Sequence, residues 1–312
     1  MSSRFFSIYR SKWIAAAALA FLLIATGCGS ASVTKDPAHA TRTVTDGYGD
    51  VQVPASPARV VVLDIGALDN LLKLGIKPVG APSILADQPY PNYLKGTEGI
   101  ENIGTVNEPN LEAIDRLKPD LILGNKDTHD QIHNKLAQIA PTVFVDTLGV
   151  TWKKNLQTHA DAVGKSDAGK RLLEDYDTRI KELKGKLASQ TSSPEVSLIR
   201  TRTDKVQGYL TETFSGVILS DAGIKRPSTQ SGKGFSKDLT DEQIADADGD
   251  VIFWFTRDKG SFERLQKTPL WGQLKAVKQN KVQQVDWETW MSGLGIQAVN
   301  SVVDDLFKYL VK

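Results

Sequence analysis

Shifted by 130 residues, the chain meets itself. NLEAIDRLKPDLIL (110–123) falls on TDEQIADADGDVIF (240–253) without a gap, setting Glu112 on Glu242, Ile114 on Ile244 and Asp120 on Asp250. A second echo, at an offset of 148, sets Gly75-Ile76-Lys77 on Gly223-Ile224-Lys225. Both echoes occur in the same order, which reads as two similar lobes. The length of 312 residues agrees, because single cores stop growing near about 250–300 residues.

Within each lobe the pattern alternates between strand and helix. Val60–Leu63 is a buried β-run, followed by the helical stretch Leu68–Leu74 and the helix-ending Gly75. Helix 111–117 is closed by Pro119 and precedes the strand Leu121–Leu123; helix Gln131–Ile139 leads through Pro141 to the strand Val143–Val145. After residue 195, strands are expected at Val196–Ile199, Val217–Ser220, Val251–Phe255 and Val282–Val285. Such alternation implies parallel, doubly wound sheets. Between the halves, Leu173, Tyr176, Ile180, Leu183 and Leu187 form one apolar stripe. The helix it predicts, Asp167–Ser189, is roughly 34 Å long at about 1.5 Å per residue. Its three heptads are too few to favour a coiled coil. The expected fold class is α/β, with two Rossmann-like lobes joined by a single long helix.

The N-terminus reads as an address. Arg4, Arg10 and Lys12 precede the apolar run Trp13–Ala25 and then Thr26-Gly27-Cys28, the layout of a secretory signal. A membrane span needs roughly 20 apolar residues, more than this run supplies. The chain's single cysteine stands where a lipoprotein signal peptidase would leave it as the first residue. The motif resembles a bacterial lipobox with Ala25 in place of the usual leucine; the competing reading is an incidental buried thiol. Lipid on Cys28 would hold the protein at the outer face of a membrane, at about 0.8 kcal/mol per buried CH₂. The expected organisation is a signal peptide (1–27), a polar tether (28–42), an N-terminal lobe (43–160), a connecting helix (161–190) and a C-terminal lobe (191–312).

Composition removes several function classes. With 38 basic against 37 acidic residues, no basic face for nucleic acid is implied. One cysteine excludes a disulfide framework and a cysteine-cluster metal site, and four scattered histidines make a poor metal set. No G-x-S-x-G elbow, Walker A or G-x-G-x-x-G motif is present. Asp246–Asp250 imitates a calcium loop but lacks the glycine at position six and the glutamate at twelve. No enzyme activity is expected.

Ligands of open parallel sheets bind beyond the carboxyl ends of the strands. There the sequence offers Lys126 after one strand, Arg200 and Arg202 with Tyr209 after another, and Trp254 with Arg257 after a third. Trp287 and Trp290 follow the last strand. Aromatic walls with a few cations suit a bulky ligand carrying negative charge or carbonyl oxygens. For each tryptophan the alternative is core packing.

The stretch Arg59–Lys312 resembles the iron-siderophore substrate-binding lipoproteins of ABC importers, relatives of the ferrichrome- and cobalamin-binding proteins. The residues carrying the resemblance are PNLEAIDRLKPDLIL (109–123), KLAQIAPTVF (135–144), FSGVILSDAGIKRP (214–227), LTDEQIADADGDVIF (239–253) and WMSGLGIQAVNSVVDDL (290–306). The resemblance implies a monomer of the helical-backbone (class III) periplasmic-binding-protein type, with no cofactor, whose iron arrives inside its chelator. It also implies that Glu112 and Glu242 dock onto arginines of a permease dimer with its ATPase. A ferric hydroxamate or citrate-hydroxamate is the expected ligand. Haem or cobalamin is the main alternative, and direct metal binding a lesser one.

Overall fold

The computed structural model describes residues 40–84, 88–190 and 194–311. The signal peptide, Cys28 and most of the tether lie outside the described residues. Among the described residues no helix is long and apolar enough to cross a membrane. The first strand begins at Thr41, two residues inside the expected tether: β1 (Thr41–Thr45) and β2 (Asp50–Pro54) form an antiparallel hairpin. It docks on the N-terminal lobe through Gly47 N–H, which donates to Phe144 O at 2.7 Å, and through Asp46, which accepts from Phe144 N–H at 2.8 Å.

Two five-stranded sheets follow. The first contains β3 (Val60–Val62), β4 (Gly80–Ser83), β5 (Glu101–Thr105), β6 (Leu121–Asn125) and β7 (Thr142–Val145), ordered β5-β4-β3-β6-β7 and all parallel. The second contains β8 (Val196–Thr201), β9 (Val206–Tyr209), β10 (Ser236–Leu239), β11 (Val251–Phe255) and β12 (Val282–Gln284), ordered β10-β9-β8-β11-β12. Each order is that of a Rossmann half, with the crossover reversing between β3 and β6 or between β8 and β11. In the second sheet β8, β11 and β12 pair in parallel, while β9 runs antiparallel to both its neighbours, β8 and β10, so this sheet is mixed.

Val217–Ser220, expected as a strand, lies inside the helix Phe214–Asp221. A short apolar run reads equally as buried strand or buried helix. Thr213 decides it: its hydroxyl accepts from Gly216 N–H at 3.0 Å and starts the helix.

The internal echo has a physical basis. Asp120 accepts from the N–H groups of Ala58 and Arg59 at 2.7 and 2.9 Å, just ahead of β3. Asp250 accepts from Glu195 N–H at 2.8 Å, just ahead of β8. Each carboxylate therefore ties the start of its own strand to the start of the neighbouring central strand. The second echo is a repeated helix end: Gly75 and Gly223 adopt φ of 78° and 66°, and the isoleucine after each donates back into its helix at 2.9 and 3.0 Å.

The connecting helix runs Ser166–Ala188, with Tyr176, Ile180, Leu183 and Leu187 buried. Its stripe belongs to the core of the second lobe, together with Leu198, Phe253, Phe255 and the C-terminal helix Ile296–Leu310. Trp152 and Leu156, from the first-lobe helix Trp152–Ala162, join the same core, with Trp152 edge-on to Tyr176 at 4.8 Å.

Candidate functional site

At the carboxyl end of β3, Asp64 accepts from Ala67 N–H at 2.8 Å and so begins the helix Ile65–Lys73. Its second oxygen accepts from Asn125 Nδ2 at 3.3 Å, at the end of β6. His129 Nε2 is 2.8 Å from Val106 O, which makes that nitrogen the donor. All three side chains are buried. The switch point of the first sheet is thus plugged by a self-satisfied polar network.

The two lobes meet along one edge through hydrogen-bonding side chains from both, chiefly Asp69 and Asn70 of the first and Glu288 of the second. Asp69 accepts from the N–H groups of Gln297 and Ala298 at 2.8 and 3.1 Å and from Tyr93 Oη at 3.0 Å. Asn70 Oδ1 accepts from Ile296 N–H at 3.0 Å. The C-terminal helix has no capping side chain of its own; the first lobe caps it, satisfying otherwise orphaned donors. A Cβ on Gly295 would sit 2.5 Å from the Asp69 side chain, so only glycine allows this approach. Burial pushes the Asp69 carboxyl up to about 7 against the lowering effect of these hydrogen bonds. From the second lobe, Glu288 accepts from Asn92 N–H at 2.6 Å and from Gln88 Nε2. Glu288 opens a short π-helical turn, Glu288–Ser292.

Away from this edge a groove of about 560 Å³ opens between the lobes, within the range of small-molecule sites. The first lobe contributes Asp127 and Thr147–Val150; the second contributes Glu212–Ser215, Phe235, Trp290, Met291 and Leu294.

The expected ligand residues are distributed unevenly around this cleft. Trp290 stands behind the groove wall, 0% exposed and part of the second-lobe core, packed on Phe253 at 5.1 Å and donating from Nε1 to Asp305 at 2.8 Å. Arg257 lies over the Trp287 ring at 4.9 Å, beyond β11 and β12 and beside the interlobe contact of Glu288. Arg200 occupies the face of β8 shared with Leu198, next to Phe255; its Nε is buried and, among the described residues, unpartnered. Tyr209 is 1% exposed, 5.3 Å from Phe235, with its hydroxyl unpartnered among the described residues.

Three others are placed elsewhere. Trp254 points to the opposite face of β11 and stacks on Phe262 at 3.4 Å; alternation along the strand gives Phe253 and Phe255 the cleft-side core instead. Lys126 donates to Gly47 O at 2.9 Å, faces Asp146 at 3.8 Å and covers Tyr48, all in the first lobe. Arg202 follows the end of β8 in an exposed turn closed by its own N–H to Lys205 O at 2.9 Å, so the two-residue spacing from Arg200, which within a strand would put both on one face, does not do so here.

Glu112 and Glu242 are exposed and occupy matching places ahead of β6 and β11. Glu112 is in the first turn of Leu111–Arg116, capped by Asn110; Glu242 is in the 3₁₀ segment Asp241–Ala247, capped by Thr240 with Gln243 reciprocating. Among the described residues neither forms an ion pair.

Sequence reasoning missed Asp127, Glu212, Phe235, Met291 and the interlobe contacts of Asp69, Asn70 and Glu288. Phe235 carries a readable signal: one aromatic in the polar run Ser231–Asp238, with 52% of its surface exposed.

Comparison with known proteins agrees with this architecture. Residues 60–288 match the family described as periplasmic binding protein. The probable siderophore-binding lipoprotein YfiY of Bacillus subtilis is 39% identical over 93% of this chain and 95% of its own. The achromobactin-binding periplasmic protein of Dickeya dadantii is 32% identical over 80% of this chain and 85% of its own. Staphylococcus aureus SirA, solved in complex with staphyloferrin B, superposes with a TM-score of 0.79 at 28% identity, over 87% of this chain and 99% of that one. The match over residues 60–288, on a fold of two α/β lobes and one connecting helix, places the chain in the periplasmic binding protein family.

Proposed function

We propose that this chain is the extracytoplasmic substrate-binding component of an ABC importer, capturing a ferric siderophore of hydroxamate or citrate-hydroxamate type between its lobes. The observation that carries the proposal is the cleft itself: a preformed hollow lined from both lobes and pinned along one edge by buried hydrogen bonds. Such a cleft binds without chemistry and with little rearrangement, as capture and hand-over require. Of the expected ligand residues, Trp290 alone is among the described residues lining this groove; Arg200, Tyr209, Arg257 and Trp287 are kept as proposed contacts of the second lobe, while Lys126, Arg202 and Trp254 are turned elsewhere. A relative named for siderophore binding supports a ferric siderophore, and one named for iron(3+)-hydroxamate binding, FhuD of Bacillus subtilis at 30% identity, supports the hydroxamate class.

Iron enters already wrapped, as cargo. Among the described residues no group of three or more His, Cys, Asp or Glu side chains is placed to hold a metal directly. Glu112 and Glu242 present one carboxylate per lobe to a twofold permease, and lipid on Cys28 keeps the monomer at the outer face of the membrane. The chain has no catalytic role.

Titration of the purified protein, followed by quenching of its tryptophan fluorescence, tests the reading. Saturation by ferric hydroxamates at sub-micromolar concentration is the expected result. Saturation by haem or cobalamin alone would overturn it.

A further inference from the structure

The groove between the lobes carries charge of an unexpected sign for a cleft sought through its arginines. Of the described residues lining it, the charged ones are Asp127 from the first lobe and Glu212 from the second, and none is basic. Both are exposed. Asp127 accepts from the Thr147 hydroxyl, and Glu212 accepts from Gly234 N–H at 2.9 Å. Both carboxylates are therefore positioned by neutral donors, which leave their charge uncompensated.

Between them the wall is hydrocarbon: Leu148, Val150, Phe214, Phe235 and Met291. Phe235 is half-exposed yet firmly held, since its carbonyl accepts from Leu210 N–H at 2.9 Å and Glu212 N–H donates to Gly234 O at 3.0 Å. Behind it lies Tyr209, whose buried hydroxyl is unpartnered among the described residues. A rigidly presented phenyl group in a concave, two-lobe hollow is surface suited to being covered by a ligand.

We infer that this groove receives the part of the ferric chelate that does not touch iron: an aliphatic linker ending in a protonated amine, with its methylenes against Phe235 and its ammonium between Asp127 and Glu212. The inference rests on the function proposed above and narrows its substrate class. Chelates with hydrocarbon arms and a positive or neutral periphery are favoured; polycarboxylate chelates are repelled at this flank. Two carboxylates in a partly open groove give a discrimination of about three- to tenfold for an ammonium over its neutral counterpart.

Two probes that differ only in that charge isolate the effect: ferric desferrioxamine B, a linear trihydroxamate with pentamethylene linkers and a free ammonium, and its N-acetylated form. Their dissociation constants are measured on the full chain, on D127N/E212Q and on F235S, each verified by thermal melting. In the unmodified protein the ammonium form binds about three- to tenfold more tightly, and the preference declines with added salt. In D127N/E212Q the two constants converge; in F235S both weaken by a similar factor. Equal constants in the unmodified protein, or a preference that survives neutralisation, overturn the inference and leave the proposed function intact. Failure of the unmodified protein to bind any ferric chelate overturns both.

Discussion

Replacing Asp69 by Asn alters the interlobe cap without changing its size, and the structure sets the direction of the result. The carboxyl is 0% exposed and accepts two backbone N–H groups and the Tyr93 hydroxyl. Burial raises it from an ordinary value of 3.8 to about 7. A carboxyl raised on folding contributes stability that is complete below its unfolded value and is lost as pH rises through the folded one. Between pH 5.5 and 7 the unfolded chain has already released this proton while the folded chain retains it. At about 1.4 kcal/mol per unit, the native protein should lose about 2 kcal/mol relative to D69N between pH 5.5 and 8.5. The variant also carries a pH-independent cost of about 1–3 kcal/mol, because the amide cannot replace both carboxylate acceptors. The neighbouring His159, pushed down by burial, is common to both proteins and cancels. Urea unfolding of each protein at the two pH values gives the comparison. A stability gap that stays constant, or that moves in the opposite direction, would refute the account of Asp69 as a buried acid held against its own desolvation.

Other outcomes follow from the same geometry. Glu112→Ala combined with Glu242→Ala should abolish uptake of iron chelate by cells while leaving the affinity measured by fluorescence unchanged; lost affinity would instead place these acids in the cleft. Trp254→Ala removes a ring stacked on Phe262 in the core, so it should cost about 3–5 kcal/mol of stability and leave the dissociation constant within about twofold; a large loss of affinity would return Trp254 to the ligand set. Treatment of the ligand-free protein with a divalent-metal chelator should leave its melting temperature unchanged, since any metal bound only by the native state would raise that temperature.

Much of the fold is visible in the sequence because its devices recur at equivalent places in the two lobes. Gly75 and Gly223 each end a helix within a few residues of themselves, and Asp120 and Asp250 each stand just ahead of their own strand while reaching the start of the neighbouring one 55 to 62 residues back; similar jobs select similar residues. The antiparallel edge of the second sheet had no such signal: Ser236-Lys237-Asp238 belongs to a polar edge strand, recognisable only by its pairing with β9. The cleft was legible in part. Arg200 and the Arg257–Trp287 pair follow from the ends of strands, whereas Trp254 shows that the end of a strand does not fix the face. Arg202 shows that alternation stops where the strand stops. The contacts that hold the lobes at their spacing were beyond reach, since Asp69 and Gln297 lie 228 residues apart and nothing local marks them as partners.

That separation bears on how the molecule is made. A chain synthesised from its amino end produces Asp69 early and the helix that it caps almost last. Until residues 296–298 emerge, the first lobe holds a desolvating acid without its two amide donors, and Trp152 awaits a core that belongs mainly to the second half. Completion of both halves therefore depends on the final helix, and a chain truncated before residue 296 would leave Asp69 without its two amide donors.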